Sequence, residues 1–342
     1  MNAALITPFY HPPVRGNAVT VDRIARHLAA VGCTARVHAL DATLAEEILR
    51  EVRRSPPDII HAFHAYLGGR VAREAARGAG VPYVITLTGS DVYEALEDGR
   101  RADTLEVLRD AAAIVAFHKC VRCRLSDHHP SLAGKTVVIP QGVEPPGEKF
   151  QWGGECFDGG EVVFFLPAGI RPVKNVTFPL SPLAELHREA PQVRLLVAGP
   201  ILDLAYSARA LSEIERNPFA RYLGEVGREA IGALYCRADV VLNTSQFEGG
   251  MANSVLEALA FGKPVLASFI DGNISVVKEG KTGLLYRGEA EFLEKARMLV
   301  RDESLRWHLG ANGRQLVREQ YAPGREAAAY EALYRTVVTK AD

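Results

Sequence analysis

Two acidic and two basic residues in the second half of the chain are of the types that bind a guest carrying both phosphates and hydroxyls. Glu248 and Glu257 have eight residues between them, and Gly249-Gly250 directly follows the first. A glycine pair lets backbone N–H groups come close to a ligand. Met251, Ala252 and Asn253 then lead into a helix whose first turn adds unpaired donors and partial positive charge. Together these make a seat for a diphosphate. A carboxylate beside phosphates is repulsive unless it holds hydroxyls, so the two glutamates point to a guest with both groups. Arg171 and Lys174, in Gly169-Ile170-Arg171-Pro172-Val173-Lys174, are the cations suited to neutralise it.

The flanking sequence shows how these residues are positioned. Ala238 to Leu242 and Pro264 to Ala267 are short apolar runs of the kind that form buried parallel strands, and the Phe247 to Gly250 loop and a helix lie between them. Such a βαβ unit is right-handed, and its helix opens at the carboxyl edge of the sheet, where open α/β sheets bind ligands. Glu161 to Leu166 (EVVFFL) is a further strand, and its end brings Arg171 and Lys174 to the same edge. Leu256, Ala258, Leu259 and Ala260 surround Glu257 with apolar groups, which favours a buried carboxylate over a solvated one. In the first half, Ala3 to Thr7, Asp58 to Phe63, Val81 to Leu87, Ile114 to Phe117 and Thr136 to Pro140 read as strands, with a helix from about Val19 to Val31. His64 and Asp91 follow two of these strands, so they are the polar groups best placed to meet a substrate. A histidine at a strand end also serves as a partner for the backbone, and both readings of His64 stay open.

At 342 residues the chain is long enough for two domains, each with its own core, and 48% hydrophobic and 24% charged residues are ordinary for globular protein. A net charge of −1 supplies no broad basic field, which disfavours nucleic acid as a partner. Five scattered cysteines suit a reducing, cytoplasmic setting better than a disulfide framework. No apolar run reaches the length of a membrane span, which leaves peripheral membrane contact open.

The stretch Asn243 to Tyr286, with its glutamates flanking a glycine loop, resembles the donor-site signature of the family 4 retaining glycosyltransferases (glycosyl transferases group 1). The resemblance implies an α/β fold of two Rossmann-like doubly wound domains facing a cleft (GT-B). It divides the chain into an acceptor-side domain over 1–145, a Pro- and Gly-rich linker over 146–160, a nucleotide-sugar-binding domain over 161–322 and a final helix over 323–342 that crosses back to the first domain. It also implies residue roles. Glu248 lies near the donor sugar, Glu257 accepts hydrogen bonds from the ribose, and Arg171 and Lys174 bind the phosphates and assist the leaving group. Gly16 lets the first loop pass close to the phosphates, and the Arg221 to Gly227 turn, through Glu225 and Val226, cradles the base. The implied reaction moves a sugar from a nucleoside diphosphate donor, with a UDP-sugar expected, to an unidentified acceptor with retention of configuration. The nucleotide-sugar is a substrate and no cofactor is implied. The chain departs from the family pattern in three places. The glutamates are one residue further apart than usual, Arg171 and Lys174 are two residues closer, and Thr88 stands where many members place a histidine.

Other chemistries lack their fingerprints. Gly134-Lys135-Thr136 and Gly280-Lys281-Thr282 mimic the end of a P-loop, but the glycine required five positions upstream is His129 in one and Ser275 in the other. No GxGxxG follows a strand, and no Asp-x-Asp pair exists to bridge a metal to a diphosphate, so no metal site is expected. Cys120 and Cys123, near His118, His128 and His129, form a single CxxC, which is weak evidence for zinc. Two alternatives share the fold: a nucleotide-sugar epimerase, and a non-catalytic relative that only binds the nucleotide-sugar.

Overall fold

Short, mostly apolar runs bounded by Gly, Pro or polar turns give most of the twelve short strands found among the described residues, which the computed structural model arranges in two parallel sheets. The structure describes residues 1–11, 16–145 and 160–341. The first sheet contains β1 (Asn2–Thr7), β2 (Thr34–Ala39), β3 (Ile59–Phe63), β4 (Tyr83–Thr86), β5 (Ala113–Ala116) and β6 (Thr136–Val138), in the order β2-β1-β3-β4-β5-β6. The second contains β7 (Val162–Pro167), β8 (Val193–Ala198), β9 (Ala220–Tyr222), β10 (Val240–Asn243), β11 (Val265–Ser268) and β12 (Gly283–Tyr286), in the order β12-β11-β10-β7-β8-β9. Each order reverses once, between β1 and β3 and between β7 and β10. Such reversals open a crevice at the carboxyl ends of the strands.

The chain divides into two units. One comprises Met1–Gly142, Gly249–Met251 and the segment from Tyr321 onward; the other comprises Val143–Glu248 and Ala252–Gln320. In the first unit, alternate strand residues feed cores on opposite faces of the sheet. Ile6, Ile60, Ile85 and Ile114 face one way, while Leu5, Phe63, Val84 and Val115 face the other. The helices Ala45–Arg54, Gly69–Ala79 and Arg101–Asp110 cover the first face, and Gly16–Ala30 and Pro323–Ala341 cover the second. The expected linker over 146–160 lies outside the described residues apart from Gly160.

Gly249–Met251 lie within the stretch assigned from sequence to the second domain, yet they group with the first unit. A Cβ at Gly249 would come 1.7 Å from the Cα of Gly89, so two side-chain-free residues allow the backbones to meet. Strand β2 is absent from the sequence reading. It is an edge strand with the burial of its first four residues alternating, and TARVHA carries little apolar signal. Among the described residues no helix is long and apolar enough to cross a membrane.

The final helix is tied to the first sheet by a buried polar chain. His61 Nδ1 meets the Tyr334 hydroxyl at 2.5 Å, its Nε2 meets Thr86 Oγ1 at 2.7 Å, and Thr86 Oγ1 meets the Tyr330 hydroxyl at 3.0 Å. Burial pushes the His61 imidazole down from 6.5 to about 3, so it is neutral in the folded protein. A lowered histidine value contributes stability that is fully present above the unfolded-state value. This stability is lost as pH falls from there towards the folded-state value, at up to about 1.4 kcal/mol per pH unit. Urea denaturation between pH 7 and 4 is expected to show a shallower loss in His61→Gln than in the unaltered protein. Parallel pH profiles would rule out this contribution.

Candidate active site

The crevice between β7 and β10 brings together Arg171, Lys174 and Glu248. Pairing continues past the end of β7, with Ala168 N donating to Ala198 O at 2.9 Å and Ile170 N to Pro200 O at 2.8 Å. Gly199 permits this approach. Its φ is +154°, and a Cβ there would lie 2.2 Å from Ala168 O. Arg171 is extended and exposed, and Pro172–Lys174 forms one 3₁₀ turn that ends at Asn175 in the left-handed region. That turn is joined to the segment after β10. Gln246 N donates to Val173 O at 2.9 Å, and Thr244 Oγ1 donates to Lys174 O at 2.7 Å.

These backbone ties bring Lys174 and Glu248 together. Lys174 Nζ donates to Glu248 Oε1, and Ser245 Oγ donates to the same oxygen at 2.7 Å. Burial would raise the Glu248 carboxyl, but the Lys174 ammonium, its hydrogen bond, the Ser245 hydroxyl and the Arg171 charge outweigh it. The group is held below its ordinary value. Glu248 is therefore an anion at neutral pH.

A layer of amides and hydroxyls lies behind this pair. Ser245 N donates to Asn243 Oδ1 at 3.2 Å, Asn273 Nδ2 donates to the same oxygen at 3.0 Å, and Ser268 Oγ donates to Ser245 O at 2.7 Å. Asn273 Nδ2 also reaches Ser268 O at 2.9 Å, so β10, β11 and the turn Asp271–Ile274 are fastened to one another beneath Glu248.

Glu257 is carried by the helix Asn253–Ala260, whose Val255, Leu256, Ala258 and Leu259 are buried. Only 8% of Glu257 is exposed, so it is not a solvated helix carboxylate. Its Oε1 accepts from the Arg228 guanidinium at 3.2 Å and its Oε2 from the Tyr235 hydroxyl at 2.9 Å. Burial, then the nearby Glu257 charge, pushes the Tyr235 hydroxyl well above its ordinary value and keeps it a donor. Arg228 opens the helix Arg228–Arg237 directly after the Leu223–Gly227 loop, which links exposed Glu225 and half-buried Val226 to Glu257. At the start of the Asn253–Ala260 helix, the N-cap Ala252 offers no side-chain acceptor to the first-turn N–H groups.

In the first unit, His64 and Asp91 follow β3 and β4, and Gly16 is the first residue of the helix Gly16–Ala30. His64 is buried with φ +71°, an uncommon backbone state outside glycine. Its Nδ1 accepts from Leu67 N at 3.2 Å, which leaves the ring proton on Nε2, 3.0 Å from Ser90 Oγ. Asp91 does not present a free carboxylate. Its oxygens accept from Ala65 N at 3.0 Å, Thr88 N at 3.1 Å and Gly89 N at 2.7 Å, so it organises the loop rather than facing a guest. Cys120 is half-buried and Cys123 exposed, and among the described residues no group of three or more His, Cys, Asp or Glu could hold a metal ion.

Comparison with known proteins identifies the family. The model described as Glycosyltransferase Family 4 matches residues 4–145, and that described as Glycosyl transferases group 1 matches residues 160–302; together they span most of the chain. The chain belongs to the group 1 glycosyltransferases of family 4. One relative, Glycosyltransferase 1 domain-containing protein 1 of Xenopus tropicalis, is 26% identical over 332 residues, 93% of each chain. Sucrose-phosphate synthase from Thermosynechococcus elongatus superposes with TM-score 0.84 over 99% of both chains at 18% identity. Anabaena HepE in complex with UDP-glucose superposes with TM-score 0.80 over 98% of this chain and 100% of that one at 16% identity. Likeness at these identities shows the fold, the two Rossmann-like domains of GT-B glycosyltransferases.

In this glycosyltransferase the sequence-derived residues of the second unit fall into two groups. Arg171, Lys174 and Glu248 gather at the β7–β10 crevice, and Glu257 joins the Glu225–Val226 loop through Arg228. Sequence reasoning missed Ser245, Asn243, Asn273, Arg228 and Tyr235. Only Asn243, the last residue of a buried strand, and Ser245, just past it, carry a local signal, because the end of a parallel strand is where polar residues of a site collect.

Proposed function

We propose that the protein transfers a sugar from a nucleoside diphosphate donor, with UDP as the nucleotide, to an acceptor hydroxyl, with retention of configuration and no metal ion. The observation that carries this reading is the meeting of Lys174 and Glu248, with Arg171 beside them, at the switch point of the second sheet. The bond between the sugar's anomeric carbon and the phosphate oxygen breaks, and the acceptor oxygen bonds to that carbon. The departing diphosphate gathers charge, which Arg171, Lys174 and the first-turn N–H groups of Asn253–Ala260 stabilise. The leaving phosphate takes the acceptor's proton. Glu248 faces the cationic sugar, Glu257 holds the ribose hydroxyls, and the Glu225–Val226 backbone receives the base. In the first unit, His64 is the proposed substrate contact, acting with Ser90. The UDP-glucose bound by Anabaena HepE, a protein of the same fold, supports UDP as the nucleotide.

Thermal stabilisation by a panel of UDP-, GDP- and ADP-sugars, with and without a chelator, tests the proposal, because a ligand of the native state raises its apparent stability. UDP-sugars alone are expected to raise the melting temperature, and the chelator is expected to change nothing. Silence across the panel would contradict the proposal. Lys174→Ala is expected to weaken UDP-sugar binding about tenfold through loss of a charge-assisted contact, and an unchanged shift would remove Lys174 from the phosphate site.

A further inference from the structure

We propose that Glu248 competes with the donor's diphosphate for the Lys174 ammonium, so that the site favours a nucleoside diphosphate still carrying its sugar over one that has lost it. The inference rests on the nucleotide-sugar reading above.

Lys174 and Glu248 pair directly, with side chains only 19% and 15% exposed, so solvent screens the interaction little. Glu248 has no slack to withdraw. Its Oε1 is also held by Ser245 Oγ, and Ser245 is fixed through its N–H to Asn243 and through its carbonyl to Ser268. Asn273 ties both of these partners together. An incoming diphosphate must therefore take Lys174 from a carboxylate that stays in place, and it meets that carboxylate's charge as well. With a sugar attached, hydroxyls donate to Glu248 and replace the contact it gives up. Once the sugar has been transferred, its hydroxyls no longer reach Glu248, Glu248 reclaims Lys174, and the diphosphate product is held less tightly. The carboxylate that serves the sugar in the reaction thereby promotes product release afterwards.

Calorimetric titration of UDP and UDP-glucose into the unaltered protein, Glu248→Gln and Ser245→Ala tests this. Glu248→Gln keeps the side chain's size and its acceptor oxygen and removes the charge. It is expected to bind UDP about five- to tenfold more tightly, with no tightening for UDP-glucose. Ser245→Ala loosens Glu248 without removing its charge and is expected to shift UDP binding in the same direction by a smaller factor. UDP binding that is unchanged or weaker in Glu248→Gln, or equal tightening of both ligands, would overturn the inference while leaving the nucleotide-sugar reading intact. Absence of UDP binding by the unaltered protein would instead overturn that reading, and the inference with it.

Discussion

Replacing Glu326 by Ala is expected to lower the unfolding free energy by about 3–5 kcal/mol, the usual cost of stranding one member of a buried ion pair. Arg23, on the helix Gly16–Ala30, and Glu326, on Pro323–Ala341, are 3% and 1% exposed at their side chains. Two parallel hydrogen bonds join them, Nε to Oε2 at 2.8 Å and a terminal nitrogen to Oε1 at 3.2 Å. Without the carboxylate, the guanidinium is left in an apolar layer beside Tyr330 with its charge uncompensated. Glu331 supplies the comparison. It pairs with Arg335, whose side chain is 72% exposed, and Glu331→Ala is expected to cost no more than about 1 kcal/mol. Chemical denaturation of both variants checks the contrast. A loss below about 1 kcal/mol for Glu326→Ala would mean that water reaches Arg23 or that the final helix detaches. Replacing both Arg23 and Glu326 with apolar residues is expected to recover much of the loss, since the penalty belongs to the orphaned charge.

Glu257→Ala is expected to weaken UDP binding by about 1.5–3 kcal/mol, roughly ten- to a hundredfold, through loss of hydrogen bonds from ribose hydroxyls to a charged acceptor. Arg228 and Tyr235 hold the carboxylate in the free protein, so it is oriented before the ligand arrives. Loss of a prepared acceptor cannot be recovered by a rearrangement on binding. A UDP analogue lacking the ribose hydroxyls provides the internal check. It should bind the unaltered protein weakly, by a similar factor, and the variant should discriminate against it far less. Full discrimination by the variant, or unchanged UDP affinity, would remove Glu257 from the ribose contact.

The parts of the site that sequence revealed are those carried by local pattern. Val240, Val241 and Leu242 form a buried strand on composition alone, and the glycine pair with the helix after it follows from spacing. The burial of Glu257 follows from its apolar neighbours on a short helix. What sequence could not show is the direction of side chains and partnerships over long separations. Asp91 follows a strand as expected, but three backbone N–H groups within reach claim its carboxylate. Arg228 and Glu257 meet across 29 residues, and Asn243 and Asn273 across 30, with no periodicity to mark either pair. The same limit applies to the fold. Central strands, apolar on both faces, stood out, whereas the half-exposed edge strand Thr34–Ala39 did not. His61 shows the limit from the other side. It is the middle residue of a strand buried along its whole length, and only the distant Tyr334 and the neighbouring-strand Thr86 explain how an imidazole is accommodated there.

Calorimetric titration of UDP, set beside uridine, into the unaltered protein without added metal tests whether the second sheet holds a diphosphate. If Arg171, Lys174 and the helix start at Asn253 form a diphosphate seat, UDP binds and uridine binds far more weakly, because only the former presents the groups those charges and N–H donors recognise. Equal binding of the two, or no heat from UDP, would contradict a nucleoside diphosphate site at the β7–β10 crevice.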